Sequence, residues 1–126
     1  MPFSWSAYLT LAQELAGRSG DEAAQRSAIS RAYYAVYNLA LVKIRVLQIT
    51  TDEQLPPHER VWTSLMGHSE EIYRSIGILG DRLKKSRRMA DYDDVIKNVP
   101  SETAQALVLA RLVEGRLQKL TPPLAQ

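Results

Sequence analysis

Between Asp21 and Gln48 the chain runs for about 28 residues without a proline or a glycine, and strong helix formers dominate the stretch. At a rise of 1.5 Å per residue this predicts one helix about 40 Å long. Ile29, Tyr33, Val36, Ala40 and Leu47 trace one apolar stripe along it, and Ala28, Ala32, Ala35, Leu39, Val42 and Val46 trace a neighbouring one. So wide an apolar arc needs more than one packing partner. In a chain with few other helices, it leads to the expectation of a homodimer.

The remaining segments also read as helices, because apolar residues recur at spacings of three and four and no alternating β-branched run sits between turn residues. Ser4 is placed to cap a first helix bearing Tyr8, Leu11, Ala12 and Leu15 on one side, closed by Gly17 and Gly20, and Asp21 is placed to cap the long helix. Residues 50–57 form a connector ending in Pro56 and Pro57, with proline suited to open a helix carrying Val61, Trp62, Leu65 and Met66. Gly67 to Ser69 reads as a break. Glu70 and Glu71 then start a helix with Ile72, Ile76, Leu79 and Leu83 on its core face, weakened in its middle by Gly77 and Gly80. Asp91 to Pro100 reads as a loop. Ser101 is the expected cap of a last helix, from Glu102 to about Leu120, with Ala106, Leu109, Ala110, Val113, Leu117 and Leu120 as its stripe and Pro122 and Pro123 as its stop. The expectation is a single all-α domain spanning the 126 residues, an antiparallel up-and-down bundle of four to five helices.

Composition narrows the chemistry. Hydrophobic residues make up 45% and charged residues 24%, which is ordinary for a globular domain. With no cysteine, thiolate metal sites and a cysteine nucleophile are excluded, and a cytoplasmic setting is expected. No run reaches the roughly 18 apolar residues of a membrane span, and the N-terminus lacks a basic n-region. A net charge of +2 is too slight to be a nucleic-acid footprint when averaged over the chain. Its distribution is more telling, since Arg82, Lys84, Lys85, Arg87 and Arg88 are followed at once by Asp91, Asp93 and Asp94.

The histidines, His58 and His68, do not make a zinc-protease helix, because Trp62 stands where the second ligand after His58-Glu59 would have to be. The three aspartates lack the glycine and distal glutamate of a calcium loop, so no metal and no other cofactor is expected. Arg31, Tyr34, Asn38 and Arg45 fall on one face of the long helix. That face is either a wet side or a basic, aromatic groove that holds phosphate and stacks a base. The Arg82 to Arg88 run has the same two readings, a helix end satisfying its dipole or a site for phosphate or an acidic partner, with Tyr92 beside it.

Two stretches carry a family resemblance. Arg26-Ser-Ala-Ile-Ser-Arg-Ala-Tyr-Tyr-Ala-Val-Tyr-Asn38 resembles the long helix of HEPN domains, and Leu83-Lys-Lys-Ser-Arg-Arg-Met-Ala-Asp-Tyr-Asp93 resembles their downstream arginine, alanine, aspartate, tyrosine motif. Pro57-His58-Glu59 sits where that subgroup often has a histidine opening its third helix. The resemblance implies an antiparallel, usually dimeric bundle from bacterial or archaeal toxin-antitoxin, antiviral and nucleotidyltransferase-linked systems, whose catalytic members are metal-independent ribonucleases. Those ribonucleases carry arginine, four to six residues, then histidine, whereas Arg60 and His68 here are separated by seven and no histidine follows His68.

The sequence therefore leads to three expectations. The first is a HEPN-like dimer that binds RNA, a nucleotide or a protein partner, such as a nucleotidyltransferase encoded alongside, through Arg31, Tyr34, Asn38, Arg87, Arg88, Asp91 and Tyr92. The second is a divergent ribonuclease, in which His58 or Tyr92 moves a proton and Arg31 or Arg88 stabilises the phosphate. The third is a purely structural dimerisation subunit. An enzyme is the less favoured reading, because the arginine-to-histidine spacing is absent.

Overall fold

The computed structural model describes residues 2–120 and contains five helices: α1 (Ser6–Ala16), α2 (Glu22–Leu47), α3 (Pro57–Met66), α4 (Glu71–Tyr92) and α5 (Val99–Lys119). No strand occurs among the described residues. The long helix forms as its composition dictates. Asp21, in an extended conformation, accepts the Ala24 N–H at 3.0 Å, and the helix then runs without a break to Gln48. Gln48 closes it in the left-handed region at φ 55°, letting the Ile49 N–H reach back to the Ile44 carbonyl.

Helix directions follow from paired ends. Thr103, early in α5, reaches the carbonyl of Gln25, early in α2, and Lys43 donates to the carbonyl of Leu120 beyond the end of α5, so these two helices run the same way. Arg26 at the start of α2 meets residues 90–94 at the end of α4, and Ser6 at the start of α1 meets Glu114 late in α5. The four long helices thus alternate in direction along the chain, as an up-and-down bundle requires. The short α3 packs on α4.

The core joins every helix. Leu9 and Ala12 come from α1; Ile29, Tyr33 and Val36 from α2; Trp62 and Leu65 from α3; Ile76 and Leu83 from α4; Ala110 and Val113 from α5. On α1, Leu11 is exposed and Leu9 takes the buried position, a correction to the expected face. Ala28, Ala32 and Ala35 of the second α2 stripe are buried within the chain itself, and only Val42 and Val46 at its far end are exposed. Much of the apolar arc that called for a second copy is therefore covered by the chain's own helices.

Other boundaries shift for physical reasons. Ser4 makes no side-chain cap; α1 begins after Trp5, and Ser4 contributes only its carbonyl, to the Ala7 N–H. Asn98, not Ser101, caps α5, accepting the Ser101 N–H at 3.1 Å, and this admits Val99 and Pro100 to the first turn, where proline's missing donor costs nothing. The expected loop is correspondingly short. Asp91 and Tyr92 belong to the last turn of α4, which ends where Arg26 crosses over and donates to the carbonyls of Ala90, Asp93 and Asp94. The proposed stop at Pro122 and Pro123 lies outside the described residues.

Gly77 and Gly80 do not interrupt α4. They let α3 lie directly against it: a Cβ on Gly80 would stand 2.2 Å from the Trp62 ring, and one on Gly77 would stand 2.6 Å from the Met66 backbone nitrogen. Close approach, not flexibility, is what these glycines supply.

Candidate functional site

Where α2, α3 and the second half of α4 meet, aromatic and cationic side chains converge. Tyr33 is fully buried on the core stripe, so its hydroxyl needs partners inside the protein. It has two. The Trp62 Nε1–H donates to the Tyr33 oxygen at 3.0 Å, and the same oxygen lies 2.6 Å from His58 Nδ1. Nδ1 is the acceptor within reach of the buried Tyr33 proton, so both groups are satisfied when the hydroxyl donates to Nδ1 and His58 carries its proton on Nε2.

Burial pushes the His58 pKa below its usual value, and the positive charges of Arg87, Lys84 and Arg88 push it the same way. Burial likewise raises the Tyr33 hydroxyl well above the ordinary phenol range, so it stays a donor. The Tyr37 ring stacks on the imidazole, with centroids 4.0 Å apart and planes within 18° of parallel. His58 is thus held on three sides by sequence-local choices: Pro57 opens α3 one residue before it, and the Tyr33/Tyr37 pair, four apart, presents one face of α2.

Arg87 is the cation of this site. It is 9% exposed, and its guanidinium lies 5.6 Å from the Tyr33 ring centroid, 5.7 Å from that of Tyr34 and 5.9 Å from that of Tyr92. Among the described residues its sole acidic neighbour is Asp91, at a long 3.5 Å, and Asp91 also receives the Ser30 hydroxyl at 3.4 Å. The Arg87 Nε is buried without a hydrogen-bond partner. By contrast Lys84, also buried, is fully paired with Asp81 at 3.2 Å.

Among the residues singled out from the sequence, the fold brings together Tyr34, Arg87, Asp91 and Tyr92, with His58 close behind them. Arg88 follows on the exposed side of the same helix and Tyr92 is largely in solvent. Arg31 and Asn38 do not join. The Arg31 guanidinium lies over the Tyr8 ring of α1 at 5.3 Å, and Asn38 donates to the carbonyl of Tyr34, a local helix contact. His68 is elsewhere, stacked on Tyr73 with its Nδ1 accepting the Glu70 N–H.

Tyr33, Tyr37 and Trp62 were read from the sequence only as core or helix residues; Tyr33 and Trp62 carry the polar network behind the site, and Tyr37 the ring that holds the imidazole. A tyrosine in the middle of an apolar stripe was the available signal, since its hydroxyl must be answered there. Among the described residues no group of three or more histidines and carboxylates gathers for a metal, and no helix is long and apolar enough to cross a membrane. Comparison of the chain with protein-family models, curated proteins and solved structures gives no match.

Proposed function

We propose that this chain is a HEPN-type binding module that holds an RNA or nucleotide phosphate, or an acidic group of a protein partner, at Arg87, and does not cut what it binds. The observation carrying this reading is a buried guanidinium framed by three tyrosine rings and opposed only by one distant carboxylate. Such a cation is already desolvated and oriented, so an incoming phosphate meets a prearranged partner, and Tyr92 offers a ring to stack on. Arg88 adds charge at the rim. The tautomer of His58 supports binding over cleavage, since the ring offers an Nε2–H donor and its other nitrogen is occupied.

In the resemblance to HEPN proteins such a module is a homodimer within a toxin-antitoxin or defence system. Val42 and Val46, exposed on α2, are the positions through which a second copy would extend the long-helix contact. The test is fluorescence anisotropy of a labelled single-stranded RNA and of labelled ATP with the purified chain. Arg87→Met and Arg88→Ala are each expected to weaken binding, Arg88→Ala lowering the salt slope by about one. Absence of any binding that these substitutions weaken would remove the reading.

One observation favours the divergent ribonuclease: His58 sits within electrostatic reach of Arg87 and Arg88, so its Nε2–H is a group there that could pass a proton to a leaving oxygen. In that case His58→Ala abolishes cleavage of the same RNA; unchanged cleavage eliminates His58 as the proton carrier.

A further inference from the structure

Beside Tyr37, the end of α2, the 48–56 connector and the start of α3 line a half-open cavity of about 660 Å³. This volume lies within the range of small-molecule sites, roughly 300–1,000 Å³. Leu41, Ile44, Ile49 and Val61 supply apolar wall, and the Tyr37 ring closes the side nearest His58. Two guanidiniums line it as well, Arg45 and Arg60, and both act on the Tyr37 hydroxyl, countering the rise in its pKa that burial causes.

The two cations are not equivalent. Arg60 is committed to the connector, donating to the carbonyls of Glu53 and Leu55 and pairing with the Glu53 carboxylate at 3.3 Å. It holds the wall in place. Arg45 is exposed at the rim and has no acidic partner among the described residues. Glu53, the one acid that lines the cavity, is consumed by Arg60. One wall is therefore apolar, the connector side carries the neutral polar groups of Gln48, Thr50 and Thr51, and the one positive charge without an acidic partner among the described residues, Arg45, stands at the mouth.

We infer that this cavity is a binding site for a small amphipathic anion, a flat hydrocarbon body carrying a single carboxylate or phosphate monoester. The body packs on the aliphatic wall and Tyr37, and the anionic group meets Arg45. Bound there, the anion adds negative charge to the neighbourhood of Tyr37, which stacks on His58, and so raises an imidazole pKa that burial first, and then the charges of Arg87, Lys84 and Arg88, hold down. The cavity shares no lining residue with the Arg87, Tyr34, Asp91 and Tyr92 cluster and does not depend on what binds there.

The probes are 2-naphthoate, 1-naphthyl phosphate and the neutral 2-naphthylmethanol, titrated into the ¹⁵N-labelled full chain and followed by NMR. At least one anion is expected to bind saturably and more tightly than the alcohol, shifting the amides of residues 44–51 and 57–61 and moving the His58 titration upward. The two anions tell carboxylate from phosphate as the preferred head. Arg45→Glu is expected to weaken that anion about tenfold or more, the loss of one charge-assisted contact, and to leave the alcohol unchanged. Arg45 makes no side-chain ion pair among the described residues, so this variant is expected to keep the fold, with shifts in its free spectrum confined to the end of α2, and far-UV circular dichroism checks this. Leu41→Trp, which fills the cavity, removes binding of all three probes, and Arg87→Met leaves it unchanged. No saturable binding of either anion, binding indifferent to Arg45→Glu, or shifts centred elsewhere would each overturn the inference.

Discussion

Replacing Gly80 with alanine sets two physical effects against each other. In a helix interior the change is ordinarily favourable by about 1 kcal/mol, because glycine gives up more backbone freedom. Here the added Cβ would stand 2.2 Å from Cε3 and Cζ3 of Trp62, against a normal carbon contact of about 3.5–4.0 Å. Trp62 has no room to yield. It is fully buried, and its Nε1–H is fixed on the Tyr33 hydroxyl. Relief must come from moving α3 off α4, an overpacking cost of about 1–3 kcal/mol, with up to about 1 kcal/mol more if the Trp62 to Tyr33 hydrogen bond breaks.

Gly80→Ala should therefore destabilise by up to about 3 kcal/mol once the propensity gain is deducted, and should in no case be stabilising. Gly115 on α5 supplies the control, since a Cβ there meets nothing within 4 Å. Gly115→Ala should stabilise by about 0.5–1 kcal/mol. Urea unfolding followed by far-UV circular dichroism gives both values, and Trp62 near-UV signal reports whether α3 has moved. If Gly80→Ala were stabilising to the extent that Gly115→Ala is, the close packing of α3 on α4 would be wrong.

His58 makes stability depend on pH. Its pKa is depressed in the folded protein relative to about 6.5 unfolded, so between those values the unfolded chain binds more protons and stability falls as pH is lowered. The contribution is complete above about pH 6.5 and lost as pH falls through the depressed folded value; urea midpoints at pH 7.5 and 5.5 should differ more for wild type than for His58→Asn, and equal differences would refute this. Arg26→Ala removes donors from three carbonyls at the end of α4, and at about 1 kcal/mol or more for each charged hydrogen bond it should lower stability by roughly 2–3 kcal/mol, with amide exchange accelerating first at residues 90–98. Asp21→Ala should cost about 1 kcal/mol through the lost cap on Ala24, measurable as a fall in Tm.

How much of this was legible in the sequence depended on whether one residue or several decided the outcome. The Asp21 cap, the uninterrupted α2 and the apolar stripe of α5 each follow from local propensity and a single period. The Ser101 cap failed because a cap requires non-helical backbone at that residue and Asn98 met that condition earlier, whereas Ser4 stands one residue ahead of the cap position, which Trp5 takes without a side-chain bond. The Arg87 site is the instructive case. On α4 the buried positions Ile76, Gly77, Gly80, Leu83, Lys84, Arg87 and Ala90 keep the spacing of three and four throughout. Arg87 thus occupies a core phase that its chemistry disguises; counting the period through the charged run would have separated it from the exposed Arg82, Lys85 and Arg88. Its ring partners come from α2 and its own helix end, which no local pattern joins.

That position also ties stability to binding. Burying a guanidinium costs several kcal/mol after relaxation, and the cation to ring contacts return up to about 2 kcal/mol each where they are desolvated, with little more from a carboxylate 3.5 Å away. The residue is roughly neutral for the fold. Methionine matches its length, fills the same space among Tyr33 and Tyr34, and removes both the charge and the unpartnered Nε. Arg87→Met should then change stability by no more than about 1 kcal/mol while weakening the phosphate ligand tenfold or more. The two measurements must be made together, by urea unfolding and by anisotropy on the same preparation. A loss of 3 kcal/mol or more would mean that Arg87 is a structural tie between α2 and α4, and the premise for binding at this cation would be gone.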